Sequence, residues 1–232
     1  MEKQINLVLN GKGGVGKSFF ASNFIQYLKD QQMPHVAIDT DNENSTLKRF
    51  HQDARFVNLA NPRELDELVA AVEIAPLVVV DCRAASTDVF LNYFTELTIF
   101  DVLKSMGAVL TVVSPVTHDL DSVEQIRIIA KTFDNRCRYL VVKNHALTEH
   151  FAIYDASNTR KRLLNELAAK EMEMPKLHDW LVAVLHQVNL PVGPAIQHQK
   201  FSIMDRQRLR NWQRQFHEQI NAVREILLPG EA

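Results

Sequence analysis

Nine residues near the start of the chain decide its fold: Asn10-Gly11-Lys12-Gly13-Gly14-Val15-Gly16-Lys17-Ser18. They fit the pattern G-x-x-x-x-G-K-[ST], in which successive backbone N–H groups wrap the phosphates of a nucleotide. Four of the chain's seven glycines lie in this stretch, and glycine lets the backbone take a positive φ and approach a ligand closely. The pattern therefore predicts a phosphate-binding loop, with Lys17 on the β- and γ-phosphates and the Ser18 hydroxyl on Mg²⁺.

The residues on either side of this loop support that interpretation. Residues 5–9 are typical of a buried strand that runs into the loop, and residues 19–28 are typical of a helix that leaves it. Strand, loop and helix in this order are the setting that the pattern requires. The alternative, a flexible glycine turn, would need no such setting.

Composition limits the classes of protein to which the chain can belong. Its 232 residues are 46% hydrophobic and 23% charged, which predicts one α/β domain over residues 1–232. The net charge of −2 excludes a global basic field, so any nucleic-acid site must be a local patch. Cys82 and Cys137 form neither a disulfide framework nor a C-x-x-C metal site. With neither a signal peptide nor a transmembrane run in the sequence, we expect a cytoplasmic protein.

Carboxylates end two of the predicted strands. Residues 35–38 run into Asp39-Thr40-Asp41, and the apolar run 76–80 ends in Asp81. Carboxyl ends of parallel strands meet at the ligand-binding edge of a doubly wound sheet. Asp81 is therefore expected to hold Mg²⁺, and Asp39 and Asp41 to hold the metal or orient a water. The alternative for Asp39 and Asp41 is that they are acidic turn residues capping the next helix.

The remaining patterns predict an alternating α/β chain, and therefore a mainly parallel twisted sheet with helices on both faces. The further predicted strands are residues 54–59, 108–113, 139–144 and 171–177. The further predicted helices are residues 44–51, 62–72, 90–106 (ended by Gly107), 120–130, 159–170, 178–188 and about 202–228, with a stiff turn at 191–194.

A second lysine, Lys12, directly follows the first glycine of the loop. In this the loop resembles the deviant Walker A motif of the ParA/MinD group of P-loop ATPases. The resemblance implies that Lys12 reaches across a two-fold homodimer interface to the ATP of its partner. It also implies that Lys12, Lys17 and Asp41 act in ATP hydrolysis and that Ser18, Asp39 and Asp81 hold Mg²⁺. The alternative for Lys12 is a solvated loop lysine.

The same resemblance implies where the adenine would lie. Asn144 ends a strand that contacts the base in this family, and the segment from Pro175 to Leu177 corresponds to a loop that packs on it. Asn144 could equally be a turn residue. The expected nucleotide contacts are Gly11, Lys12, Gly13, Gly14, Val15, Gly16, Lys17, Ser18, Phe19, Asn144 and Pro175. The chain departs from the family at Asn42, where proline is usual, and at residues 83–86, which lack the family's switch II pattern.

The last predicted helix carries an apolar stripe and a basic face. The stripe follows helical spacing and consists of Leu209, Trp212, Phe216, Ile220, Val223 and Leu227. The basic residues are Arg206, Arg208, Arg210 and Arg214. They form either a solvated face or a local patch for DNA phosphates or an acidic partner protein.

Residues 19–21, 26–28, 38–41 and 201–209 together resemble the TraL/StbB-type ATPases of conjugative plasmids. That resemblance implies a slow Mg-ATPase that dimerises with ATP and acts in plasmid transfer, stability or partition. Two alternatives use the same fold: a metabolic P-loop kinase or ATP-dependent ligase, and a nucleotide-binding module without turnover.

Overall fold

The computed structural model describes residues 2–230, and within them seven strands form one sheet in which every pairing is parallel. Their spatial order is β3-β2-β4-β1-β5-β6-β7. The strands are β1 (Lys3–Val8), β2 (His35–Asp39), β3 (Arg55–Phe56), β4 (Leu77–Asp81), β5 (Ala108–Val116), β6 (Arg138–Asn144) and β7 (Lys170–Met174). The expected parallel sheet is confirmed.

Helices cover both faces of this sheet, as expected from central strands that are mostly apolar and buried. One face carries α1 (Lys17–Asp30), α2 (Thr46–Phe50), α9 (Asp179–Val188), α10 (Val192–Ala195), α11 (Ile203–Ala222) and α12 (Arg224–Leu227). The other face carries α3 (Pro62–Ala70), α4 (Thr87–Glu96), α5 (Ile99–Ser105), α6 (Leu120–Phe133), α7 (Ala152–Asp155) and α8 (Asn158–Asn165). Within residues 2–230, none of the helices combines the length and apolarity that a bilayer crossing demands.

Several predicted boundaries are wrong, each for a local reason. The helix expected at 90–106 is two helices, because Thr98 takes a left-handed conformation (φ 48°) between α4 and α5. The helix expected at 159–170 ends earlier, and Ala168 (φ 51°) turns the chain into β7. The strand expected at 54–59 shrinks to two residues, the turn at 191–194 contains the short α10, and Val223 separates α11 from α12.

Strand β5 continues through Pro115, where we expected it to stop. Pairing between β1 and β5 ends at Val8 and Val113, and the Val113 carbonyl points toward β1, where it accepts from the N–H of Leu9. Pro115, two residues further on, points the same way and lies beyond the last pair of that ladder. Its missing N–H therefore removes no ladder hydrogen bond.

A buried polar cluster fixes the C-terminal helix on the sheet. Gln4 Nε2 and Thr111 Oγ1 donate to the Ile226 carbonyl over 2.8 and 3.0 Å, and Asn6 Nδ2 donates to the Leu227 carbonyl over 2.7 Å. The last carbonyls of a helix have no partner inside the helix. These strand side chains supply the missing donors, which explains polar residues in an otherwise apolar β1.

The apolar stripe of the last helix packs as predicted, with all six of its residues buried. Most of its arginines are engaged within the chain. Arg206 Nε donates to the Phe201 carbonyl (3.0 Å), Arg208 pairs with Asp205 (3.4 Å) and Arg214 pairs with Glu218 (2.9 Å). These contacts agree with a solvated, self-neutralised face, and the DNA or partner patch stays a prediction.

His51 joins α1 to the end of α2. Its Nε2 lies 2.8 Å from the Ser22 carbonyl and its Nδ1 lies 3.1 Å from Lys29 Nζ. A carbonyl can only accept and an ammonium can only donate, so the neutral ring carries its proton on Nε2. The pKa of His51 is lowered to about 4, chiefly by burial and in part by the nearby Lys29 charge.

Replacing Asn6 by alanine removes the donor to the Leu227 carbonyl and leaves that carbonyl buried. We expect the free energy of unfolding to fall by about 1–3 kcal/mol, the cost of an unsatisfied buried polar group. Urea denaturation followed by circular dichroism measures the change. Asn92→Ala, on the exposed side of α4, is the matched control and should change stability by less than about 0.5 kcal/mol. Equal effects of the two variants would contradict the role of the cluster.

The depressed pKa of His51 makes stability depend on pH. Because the folded pKa (about 4) is below the unfolded value of about 6.5, the unfolded chain takes up the proton first. The contribution of His51 is complete above pH 6.5 and is lost as the pH falls toward 4. We expect wild type to lose about 1–3 kcal/mol more than His51→Gln over that interval. Parallel pH profiles in urea titrations would refute this.

Candidate nucleotide-binding site

The glycine-rich loop lies where β1 ends and α1 begins, at the centre of the sheet's carboxyl edge. Gly14 (φ 76°) and Gly16 (φ 98°) both take left-handed conformations, and Gly16 is the residue that precedes the first turn of α1. A Cβ at Gly16 would overlap Asn144 Nδ2 and lie 3.2 Å from Met174 Cε; one at Gly11 would lie 2.7 Å from Thr87 Oγ1. Gly16 is therefore required by its backbone conformation and by the space around it, whereas a side chain at Gly11 would require the side chains of Gln125 and Thr87 to move.

Lys17 lies across this loop. Its Nζ donates to the carbonyls of Asn10 (2.7 Å) and Lys12 (2.9 Å), which holds the loop closed on itself. Burial lowers the pKa of Lys17, and the negative charge of Asp81 opposes that shift. An ammonium has three donors, so one N–H is still available to a ligand.

Asp81 ends β4 and is 2% exposed. Neither of its carboxylate oxygens accepts a hydrogen bond from residues 2–230. The pKa of Asp81 is raised to about 7, chiefly by burial and also by the charge of Asp39, against the lowering effects of Ser18 and Lys17. No hydrogen bond of normal geometry joins Ser18 to Asp81. An unpartnered buried carboxylate is costly, and with a serine hydroxyl beside it the donor set is the oxygen-only kind that Mg²⁺ takes. These two residues fit the predicted metal site.

Asp39 and Asp41 lie beside this pair but bind backbone. Asp39 faces Asp81 in the β2–β4 register, and its oxygens accept from the N–H groups of Asp41 and Lys48, both at 2.9 Å. Asp41 accepts from the N–H groups of Glu43 (2.9 Å) and Asn44 (3.1 Å). Here both carboxylates stabilise the turn before α2, as the capping alternative expects, and their roles toward metal and water stay predictions.

The pKa values of these two carboxyls move in opposite directions. Burial raises the pKa of Asp39 despite its two backbone hydrogen bonds. At Asp41 burial also acts to raise the pKa, but the hydrogen bonds from Asn44 and Glu43 outweigh it, so that the pKa falls below its ordinary value. Hydrogen bonds therefore stabilise the carboxylate form of Asp41 more than burial disfavours it, whereas burial prevails at Asp39.

Two cavities meet at the loop. The first, which we call the loop cavity, has a volume of about 330 Å³ and borders Gly13, Lys17, Ser18 and Asp41. The second, the apolar cavity, has a volume of about 160 Å³. Gly14, Gly16, Phe19 and His186 border both. A larger cavity of about 670 Å³ opens at the opposite end of β5 and β6 and contains none of the predicted site residues.

Asn144 and Pro175 both border the apolar cavity, so the fold brings the two predicted base contacts together. Asn144 Nδ2 donates to the Val15 carbonyl (2.9 Å), and its Oδ1 accepts from the Ala146 N–H (3.0 Å). The Pro175 carbonyl accepts from Trp212 Nε1 (2.7 Å), and the Trp212 ring packs edge-on against Phe19 with centroids 5.3 Å apart. Helix α11 therefore supports the wall of this cavity.

Some residues at the site could not be identified from the sequence pattern. His186, on α9, borders both cavities, and its ring lies 5.3 Å from that of Phe50 on α2. Only the folded chain brings α9 and α2 together. Arg83 borders the loop cavity and could have been noticed, because it comes two residues after Asp81.

Lys12 lies on the outer side of the loop. Its Nζ pairs with Asp121 Oδ2 at 3.1 Å, and about a third of the side chain is exposed. Asp121, at the start of α6, is a second residue that the sequence did not indicate. Lys12 is absent from the residues that border the loop cavity, so its side chain and that of Lys17 point to different places.

Gly16→Ala should separate backbone strain from crowding. A Cβ at positive φ costs about 1–2 kcal/mol, and at Gly16 it also meets Asn144. Gly107, with φ 65° and open space around it, is the matched control. We expect both alanine variants to lose stability in urea denaturation, but only Gly16→Ala to lose affinity for ADP, by at least about tenfold (about 1.4 kcal/mol), in calorimetric titration. Retained ADP affinity in Gly16→Ala would argue against the loop as the binding site.

Comparisons with known proteins agree with this geometry. The chain is 29% identical to the protein TraL of Escherichia coli over 95% of this chain and 98% of that protein. It is 22% identical to the protein MobD of Acidithiobacillus ferrooxidans over 96% and 99% of the two chains. Both similarities therefore extend over almost the whole length of each protein.

Two solved structures share the fold. The MinD cell division protein of Aquifex aeolicus superposes with a TM-score of 0.56 at 14% identity, covering 99% of this chain and all of that one. MinD of Pyrococcus horikoshii, solved with Mg-ADP, superposes with a TM-score of 0.58 at 13% identity, covering 98% and 99%.

The family pattern of the CobQ/CobB/MinD/ParA nucleotide binding domain matches residues 7–178, which include the loop, Asp39, Asp81 and Asn144. The chain belongs to this family of nucleotide-binding P-loop proteins.

Proposed function

We propose that the protein is an ATP-dependent dimerisation switch: a slow Mg-ATPase that pairs with a second copy when ATP is bound and separates after hydrolysis. The observation that carries this proposal is the different placement of the two loop lysines. Lys17 is buried against the loop, whereas Lys12 lies at the surface on Asp121. A lysine whose side chain does not border the cavity of its own chain could instead contact the nucleotide bound by a second copy.

The nucleotide half of the proposal rests on the unsatisfied groups at the site. Lys17 and the loop N–H groups would bind the phosphates, Ser18 and Asp81 would hold Mg²⁺, and the apolar cavity beside Phe19 and Asn144 would take the base. When bound, Mg²⁺ would neutralise phosphate charge. Asp41, ionised beside the loop cavity, is our candidate for orienting the attacking water.

Two exposed apolar side chains, one beside Asp121 and one at the apolar cavity, support a dimer across this edge of the sheet. Leu120, next to Asp121, is 64% exposed, and Leu147, which borders the apolar cavity, is 59% exposed. Burying them would add apolar contact to the interface. Dimerisation would then be coupled to nucleotide, because the partner's ATP supplies the anion that draws Lys12 away from Asp121.

The whole-length similarity to TraL supports a role in plasmid transfer or stability. In that setting we propose that the protein acts in the cytoplasm and that the ATP-bound dimer binds a plasmid-encoded protein or DNA. A two-state protein of this kind regulates assembly because its partner binds one state more tightly than the other.

Light scattering with ADP and with ATP tests the switch. We expect wild type to change from the 26.5 kDa chain to twice that mass with ATP alone. Lys12→Ala should bind ATP but stay monomeric, because Lys17 and its cavity are intact. Asp121→Asn should dimerise at a lower protein concentration, because it weakens the competing ion pair.

Lys131→Ala, at an exposed position of the same helix as Asp121, is the control and should behave as wild type. A molar mass that is the same with ADP and with ATP, although ATP still binds, would contradict the switch. Turnover of ATP only with a small-molecule acceptor would then favour a metabolic kinase or ligase, and no turnover at all would favour a binding module.

A further inference from the structure

Arg83 occupies the segment in which the chain departs from the family pattern. Its backbone N–H donates to Thr40 Oγ1 (3.0 Å), and the Thr40 hydroxyl donates in turn to the Asp81 carbonyl (3.1 Å). The segment after β4 is thereby tied to the segment after β2. This double contact fixes the backbone of Arg83 at the border of the loop cavity, next to the residues that would hold Mg²⁺.

The Arg83 guanidinium has N–H donors that lack a hydrogen-bond acceptor within residues 2–230. Nε is enclosed by protein and finds no acceptor within residues 2–230. Nη1 lies 3.5 Å from Asn42 Oδ1, at the limit of a hydrogen bond. Within the same described residues, no carboxylate lies within ion-pair distance of Arg83, although its charge contributes to the lowered pKa of Asp41. An enclosed N–H without an acceptor costs free energy, so the side chain is suited to a ligand that brings oxygens.

The two lysines of the loop are both engaged with other groups, which leaves Arg83 available to a bound phosphate. Lys17 is held by two loop carbonyls, and Lys12 is paired with Asp121 on the far side. Asp41 borders the loop cavity, and Asp39 and Asp81 are buried close to it, so a polyphosphate bound there meets substantial negative charge. A guanidinium offers a planar fork of donors that matches two phosphate oxygens.

We propose that Arg83 binds the terminal phosphate of the ATP held by its own chain and so distinguishes ATP from ADP. This inference rests on the proposed function. It deepens that function by naming the residue through which the third phosphate reaches the two segments that follow β2 and β4. The backbone contact between Arg83 and Thr40 is already present without nucleotide, so the third phosphate would add a contact to the Arg83 guanidinium, and ADP, which lacks that phosphate, would not.

Calorimetric titration with Mg-ADP and with a non-hydrolysable Mg-ATP analogue tests the contact without requiring turnover. Arg83→Gln keeps a polar side chain with hydrogen-bonding atoms, but it is shorter than arginine and carries no charge. We expect its affinity for ADP to stay within about twofold of wild type and its affinity for the analogue to fall at least about tenfold (about 1.4 kcal/mol). Arg83→Lys, which keeps the charge but loses the fork, should fall between the two.

Arg63→Gln, at an exposed position in α3, is the matched control and should bind both nucleotides as wild type does. Equal loss of affinity for ADP and analogue in Arg83→Gln, or no loss for either, would overturn the role of Arg83. Urea denaturation of each variant shows whether an equal loss comes from unfolding. If it does, the ratio of the affinities of Arg83→Lys for ADP and for the analogue tests the role of Arg83.

The same titrations separate this inference from the proposed function. Wild type that binds neither nucleotide would overturn both. Wild type that binds both nucleotides but never dimerises would overturn the switch alone, because the ratio of affinities still reports the contact between Arg83 and the terminal phosphate.

Discussion

The side-by-side parallel pairing of β2, β4 and β1 brings Asp39, Asp81 and Val8 to one level at the carboxyl edge of the sheet. The glycine-rich loop begins at that level, so the register alone puts two carboxylates beside the loop's N–H groups. A parallel strand shifted by two residues would still bury its apolar side chains but would move its carboxylate away from the loop. The site therefore depends on this register more than on any single side chain.

This arrangement buries ionisable side chains, which is unfavourable for the folded protein. Asp81 is buried, and no group within residues 2–230 donates a hydrogen bond to it. Burial lowers the pKa of Lys17 and raises those of Asp39 and Asp81. Such an arrangement is unfavourable in isolation and becomes favourable when a divalent cation and phosphates join it. Perturbed pKa values gathered at one cavity are what a binding site produces, and they agree with the family to which the chain belongs.

The C-terminal helices connect the site to the rest of the domain. Trp212 of α11 contacts both Phe19, in the first turn after the loop, and the Pro175 carbonyl at the wall of the apolar cavity. The polar cluster of β1 and β5 donates hydrogen bonds to the last carbonyls of helix α12 and so holds it on the sheet. Helix α11 therefore packs against both the first turn of α1 and the wall of the apolar cavity.

The sequence by itself determined the loop, the strands that surround it and the position of Asp81, because each of these follows from a local pattern of glycines, β-branched residues and strand-ending carboxylates. It also determined the family and the buried stripe of α11. The tertiary structure alone decided which partner each polar side chain takes. Lys12 pairs with Asp121, 109 positions away, Asp39 binds the backbone of the following turn, and the arginines of α11 are mostly used within the chain. Such choices depend on which donors and acceptors the fold brings within about 3 Å, and no spacing along the chain records that distance.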